Sequence, residues 1–249
     1  MNGLFETRDD IPLMAVLTEF TVAIITFYVT VRVFQKYLER RNKALAYLYL
    51  NLFFTSLPVF LLASGKALDY FGSIPRRTQS FTDFTIVISY MLTAIANIFA
   101  IGFYNSLFSK DTTINRRLTF FSILNGMTIG MLINHISFNY GVYAQIAPII
   151  LYHVIISTIT YGLLIKSSFQ VSKKTSDRLG RIGLRLIGLF GLGVILTFVF
   201  FALDLITGVI TGGGYTIFYY LAWIVVAISA IVAYLGYVMP SWFKNWLTR

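Results

Sequence analysis

Thr216–Pro240, TIFYYLAWIVVAISAIVAYLGYVMP, runs for 25 residues without one charged side chain. A helix rises about 1.5 Å per residue, so about 20 apolar residues cross a hydrocarbon core of about 30 Å. The segment is long enough to do this, and Pro240 sits where such a helix should stop. In hydrocarbon, only helices and closed barrels satisfy every backbone polar group. The ten-residue alternation of barrel strands does not occur in the sequence, so the segment reads as a transmembrane helix.

Working outward, six similar runs precede it. The seven cover about 11–34, 44–64, 81–107, 118–137, 146–168, 182–209 and 215–238. The 249 residues are 57% apolar and 12% charged, against about 25% charged in soluble domains. The connections are too short to fold separately. The expected fold is therefore an all-α integral membrane protein, one seven-transmembrane helix bundle occupying residues 1–249. Residues 1–11 lack the basic start of a signal peptide, so helix 1 is expected to be retained.

Lysine and arginine set the expected orientation. Sixteen of the 20 basic residues fall on one side, in the 1–2, 3–4 and 5–6 connections and the tail. Arg8, Lys66, Arg76 and Arg77 fall on the other. The N-terminus is expected outside and the C-terminus in the cytoplasm, as a multi-pass protein of the cell membrane. This topology accounts for the formal charge of +10, so anionic lipid headgroups, not nucleic acid, are the expected electrostatic partner. With no cysteine, disulfides, thiolate metal sites and cysteine nucleophiles are excluded.

Small residues mark expected helix packing. GMTIG puts Gly126 and Gly130 on one face of helix 4, and Ala96 and Ala100 do the same in helix 3. Helix 6 holds Gly183, Gly188, Gly191 and Gly193, which imply tight packing or a bend at that end. No internal repeat of the transporter kind is visible. Pro58 interrupts the pattern of helix 2, whereas helix 6 has no proline. In the tail at 240–249, Trp242, Phe243, Trp246 and Leu247 share one face, as in a short interfacial helix.

Polar residues inside a bilayer are costly and usually face the bundle interior. Glu19 stands out, a carboxylate between VLT and FTVAII that needs a proton or a partner at that depth. Asp83, His135, His153 and Asp204 fall in the same half of their helices, with Tyr90, Asn97, Tyr220 and Trp223 on related stripes. If these stripes face one another, they line an outward pocket for a small molecule or a lipid. Asp83, Asp204 and His135 also lie near helix ends, where headgroup water is the ordinary explanation. The two histidines could in principle ligate haem or a metal, and a metal would want further ligands such as Asp204 or Glu19. His135 reads as shallower than His153, so no cofactor is assigned. Catalytic signatures such as HExxH and GxSxG do not occur, which argues against an enzyme.

The plan of seven spans with short loops resembles retinal proteins and other seven-helix receptors. It departs from both in its residues. No lysine occurs from 175 to 243, so helices 6 and 7 cannot form a retinal imine. Helix 3 ends in FYNSLFSKD and lacks the acidic-arginine pair of animal-cell receptors. YLGYVMPSWFKNWL is similar to the exit of microbial seven-helix sensory domains. That resemblance implies a sensor signalling through a separate protein, with QVSKKTSDRLGR at 170–181 as the docking face. A non-enzymatic receptor or sensor is the leading expectation. A transporter or channel coupled through Glu19 is the alternative, and an assembly subunit using Gly126 and Gly130 is the third.

Overall fold

The computed structural model describes residues 11–71, 81–108, 113–138, 143–211 and 214–248. Arg8, Arg76 and Arg77, used above for orientation, lie outside them, as do Lys110 and Arg249, two of the sixteen basic residues of the other side. The described residues form eight helices and no strand: α1 (Leu13–Arg40), α2 (Lys43–Phe71), α3 (Phe81–Phe108), α4 (Thr113–Phe138), α5 (Tyr143–Lys174), α6 (Arg178–Thr211), α7 (Ile217–Tyr237) and α8 (Ser241–Thr248). The first seven are each long and apolar enough to cross a membrane. Most run past their expected ends by about one turn or more. The apolar run marks only the hydrocarbon, whereas the helix continues through charged residues, as at Lys36 and Arg40 of α1.

Neighbours in sequence pack as neighbours in space, and α1 closes the ring against α7. Helix α3 also packs against α5, and its Phe103 meets Tyr237 of α7 edge-on at 5.5 Å. With spans alternating in direction, α1, α3, α5 and α7 begin at one end of the bundle, called here the N-terminal end. The opposite, C-terminal half is filled by an apolar cluster that includes Val33, Leu45, Leu48, Phe103, Leu164 and Phe190. These residues come from α1, α2, α3, α5 and α6.

Helix α2 is continuous through Pro58, so the expected interruption does not end it. The Pro58 carbonyl accepts a bond from Ser89 Oγ at 3.3 Å, tying α2 to α3. The glycines of α6 serve packing, and α6 runs unbroken. A Cβ on Gly183 would lie 2.7 Å from the Gly236 carbonyl oxygen, and one on Gly193 would lie 1.9 Å from Ser229 Oγ. Gly126 and Gly130 behave differently: nothing stands within 4 Å of a Cβ on either. Their face of α4 points away from the bundle, so they do not pack α4 against its own neighbours. Ala96 and Ala100 are buried as expected, and Asn51 Nδ2 donates to the Ala96 carbonyl at 2.8 Å.

Helix α7 ends at Tyr237, and the chain turns at Met239, whose φ of 45° is left-handed, before Pro240 opens α8. Within α8 the aromatic face divides. Phe243 is buried against the bundle, while Trp242 and Trp246 are exposed. A shallow groove between Leu235 and these aromatics runs along the junction.

Candidate functional site

Helix α1 brings Glu19 into the bundle on the same face as Ala15, Val22 and Ala23, at helical spacing. The small alanines let α1 approach its neighbours, and Glu19 is fully buried. The carboxylate does not stand alone. Lys66, near the end of α2, turns its ammonium inward and forms an ion pair with Glu19 Oε1. Tyr219, in the first turns of α7, donates its hydroxyl to the same oxygen at 2.5 Å. The Lys66 ammonium also donates to the Tyr219 hydroxyl at 2.7 Å. Three helices thus meet on one carboxylate oxygen, while Glu19 Oε2 is buried without a hydrogen-bond partner.

Aromatic rings wall this cluster. The Lys66 ammonium lies 5.3 Å from the Tyr215 ring centroid, within range for a cation–aromatic contact. Trp223 is buried one turn further along α7, with Phe201 edge-on at 5.3 Å. Tyr220, the tyrosine singled out from the sequence, is only half-buried and packs its ring against Tyr219 at 5.3 Å.

Asp204 is not part of this ligand shell. It accepts from both the amide and the hydroxyl of Thr216, each at 2.8 Å, and so ties the end of α6 to the start of α7. Asp69 does the same for α3, accepting from the Phe81 and Thr82 amides and from the Thr82 hydroxyl. Asp83 lies in the first turn of α3, where a carboxylate complements the positive end of the helix dipole.

A second polar layer joins α3, α4 and α5. Asn97 Nδ2 donates to Asn125 Oδ1 at 3.1 Å and to Ser157 Oγ at 2.8 Å. His153 Nε2 faces Thr93 Oγ1 at 3.1 Å and Ser157 Oγ at 3.4 Å. Both hydroxyls already donate to backbone carbonyls, Thr93 to Tyr90 and Ser157 to His153 itself. With both hydroxyls donating to those carbonyls, Nε2 is the nitrogen that would carry the proton, and Nδ1 is buried without a hydrogen-bond partner. Tyr90 stands edge-on to the His153 ring at 5.6 Å. His135 is buried in the last turn of α4, away from this layer's bonds. No group of three or more potential metal ligands exists among the described residues.

The sequence-derived residues therefore fall into separate places, not one pocket. Glu19 and Trp223 belong to the α1–α2–α7 cluster, Tyr220 lies at its edge, and Tyr90, Asn97 and His153 belong to the α3–α4–α5 layer. Asp83 and Asp204 lie at helix ends. The sequence reading missed Lys66 and Tyr219. The signal for Lys66 was a lysine just after the apolar run 44–64, five residues inside the end of α2 and three before Asp69.

Comparison of the chain with protein-family models, with curated proteins and with solved structures finds no match in any of the three.

Proposed function

We propose that the protein is a non-enzymatic seven-helix membrane receptor or sensor, with the Glu19–Lys66–Tyr219 cluster as its sensing centre. The N-terminus faces outward and the C-terminus lies in the cytoplasm of a cell whose surface membrane holds the bundle. The bias of lysine and arginine supports this orientation. The observation that carries the functional reading is a buried ion pair at one end of the bundle with a large apolar cluster at the other. The pair and the Tyr219 hydroxyl link α1, α2 and α7 at the N-terminal end, and the apolar cluster containing Leu48 and Phe103 packs the helices at the other end. A ligand reaching the pair from outside would alter how three helices are tied together without opening a path through the bundle. The readout passes to a separate partner at the basic 170–181 connection, by a shift in the helices that bear it.

One observation favours a transporter instead: Glu19 Oε2 is buried without a partner and is the atom a proton or cation would take. The outward face of Gly126 and Gly130 favours an assembly role. The deciding experiment reconstitutes the full chain in liposomes and follows proton and sodium flux, alongside hydrogen exchange of residues 166–181. The receptor reading expects no flux above empty liposomes and a changed exchange pattern in Glu19→Gln. Flux that disappears in Glu19→Gln would establish the transporter.

A further inference from the structure

Lys66 sits where a membrane lysine normally escapes the bundle. It is five residues from the end of α2 at Phe71, within reach of headgroup water for a four-carbon stem. Instead its side chain is only 6% exposed and its ammonium points inward. There it meets a carboxylate oxygen of Glu19, the Tyr219 hydroxyl and the ring of Tyr215. A carboxylate, a phenol oxygen and an aromatic ring around one ammonium are the chemistry of cation recognition.

Two further observations show that Lys66 does not exhaust the site. Glu19 Oε2 is buried and unused, so the carboxylate can accept from another N–H donor. Tyr215 holds a left-handed backbone with φ of 62°, an uncommon and costly conformation for an aromatic residue. The bonds from Thr216 to Asp204 fix the chain just after it, and its ring is thereby set over the ammonium.

We propose that Glu19, Tyr215 and Tyr219 form a recognition site for a small organic ammonium ion, with Lys66 as a tethered occupant that the incoming ammonium displaces. This rests on the receptor reading above and names the chemical class of its ligand. An ammonium ligand restores the charge pairing that Lys66 gives up and adds a bond to Glu19 Oε2. A neutral or anionic ligand of the same shape restores neither. The displaced Lys66 head has a short path along α2 to the headgroups.

The test uses the full chain in lipid nanodiscs, with empty nanodiscs as the partitioning control. Calorimetric titrations compare benzylammonium, benzyl alcohol and benzoate. The expected result is binding of benzylammonium at least tenfold tighter than of the other two. Lys66→Met, which removes the tethered occupant, should tighten benzylammonium by a further tenfold or more, and Glu19→Gln should erase the preference for the cation. Tyr215→Leu leaves the ion pair intact and serves as a second variant, weakening benzylammonium by about two- to fivefold. Equal affinity for benzylammonium and benzyl alcohol in the wild type and in Tyr215→Leu overturns the proposal. Cation-selective binding that leaves exchange at 166–181 unchanged upholds the ammonium site and removes the receptor reading instead.

Discussion

Glu19 and Lys66 stand 47 residues apart in the chain and meet as a buried ion pair between α1 and α2, with Tyr219 of α7 bonded to both. Charge removed from water is expensive, and removing one partner leaves the other uncompensated. Glu19→Leu or Lys66→Met alone should therefore destabilise the bundle by about 3–5 kcal/mol. The double variant replaces both charges with apolar groups and should recover most of that loss. Thermal unfolding of the four proteins in one detergent measures the coupling. Additive losses in the double variant would mean that the two charges do not form an interdependent pair.

Half of this pair was legible in the sequence. Glu19 announces itself because a carboxylate in the middle of an apolar run has no ordinary explanation. Lys66 does not, because a lysine near a helix end is expected to extend to the headgroups. The direction of its stem depends on what α1 and α7 present to it, and no local pattern in α2 encodes that. Tyr219, whose hydroxyl reaches Glu19, was not distinguishable from Tyr220 in the sequence for a related reason. Helix α7 has no charge to fix its rotation, and consecutive residues point about 100° apart.

The glycines give a second contrast. Gly183 and Gly236 face each other across α6 and α7, so that a Cβ on Gly183 meets a backbone oxygen that cannot move aside. Gly183→Ala should separate these helices and lower the melting temperature. Gly126→Ala and Gly130→Ala meet open space and should leave the melting temperature of the isolated protein unchanged. Melting curves of the three variants under identical conditions check the ordering. The spacing GxxxG in α4 was the stronger sequence signal, yet spacing alone specifies close packing without saying whether the partner helix belongs to the same chain.

Asn97 is the branching point of the layer between α3, α4 and α5, donating to both Asn125 and Ser157. Its amide, an expensive group in an apolar helix, was visible in the sequence; its partners lie 28 and 60 residues away and were not. Asn97→Leu should cost about 0.6–2 kcal/mol, the range for interhelical hydrogen bonds within membranes, since both partners lose a donor. Asn97→Gln keeps the donor group on a longer stem and should cost less if the layer can adjust. Denaturant unfolding in mixed micelles distinguishes them. A leucine variant as stable as the wild type would remove any structural role for this branch.

Asp204 tests whether the turn between α6 and α7 governs the aromatic wall of the ion pair. Its carboxylate accepts from the Thr216 amide and hydroxyl, each at 2.8 Å, and Thr216 in turn caps α7 by accepting from the Phe218 amide. Asp204→Ala removes both bonds and should cost about 1–2 kcal/mol, in the range of a lost helix cap. The local effect should exceed the global one. The Thr216 amide loses its acceptor, so its hydrogen exchange should accelerate. Tyr215, no longer held on its far side, can leave its left-handed conformation and carry its ring off the Lys66 ammonium. Asp204→Asn retains an acceptor oxygen and should fall between the two. Residue-resolved hydrogen exchange over 214–220 reads all three proteins. Unchanged exchange at Thr216 in Asp204→Ala would show that α7 is capped without Asp204, and that Tyr215 is held by its own packing alone.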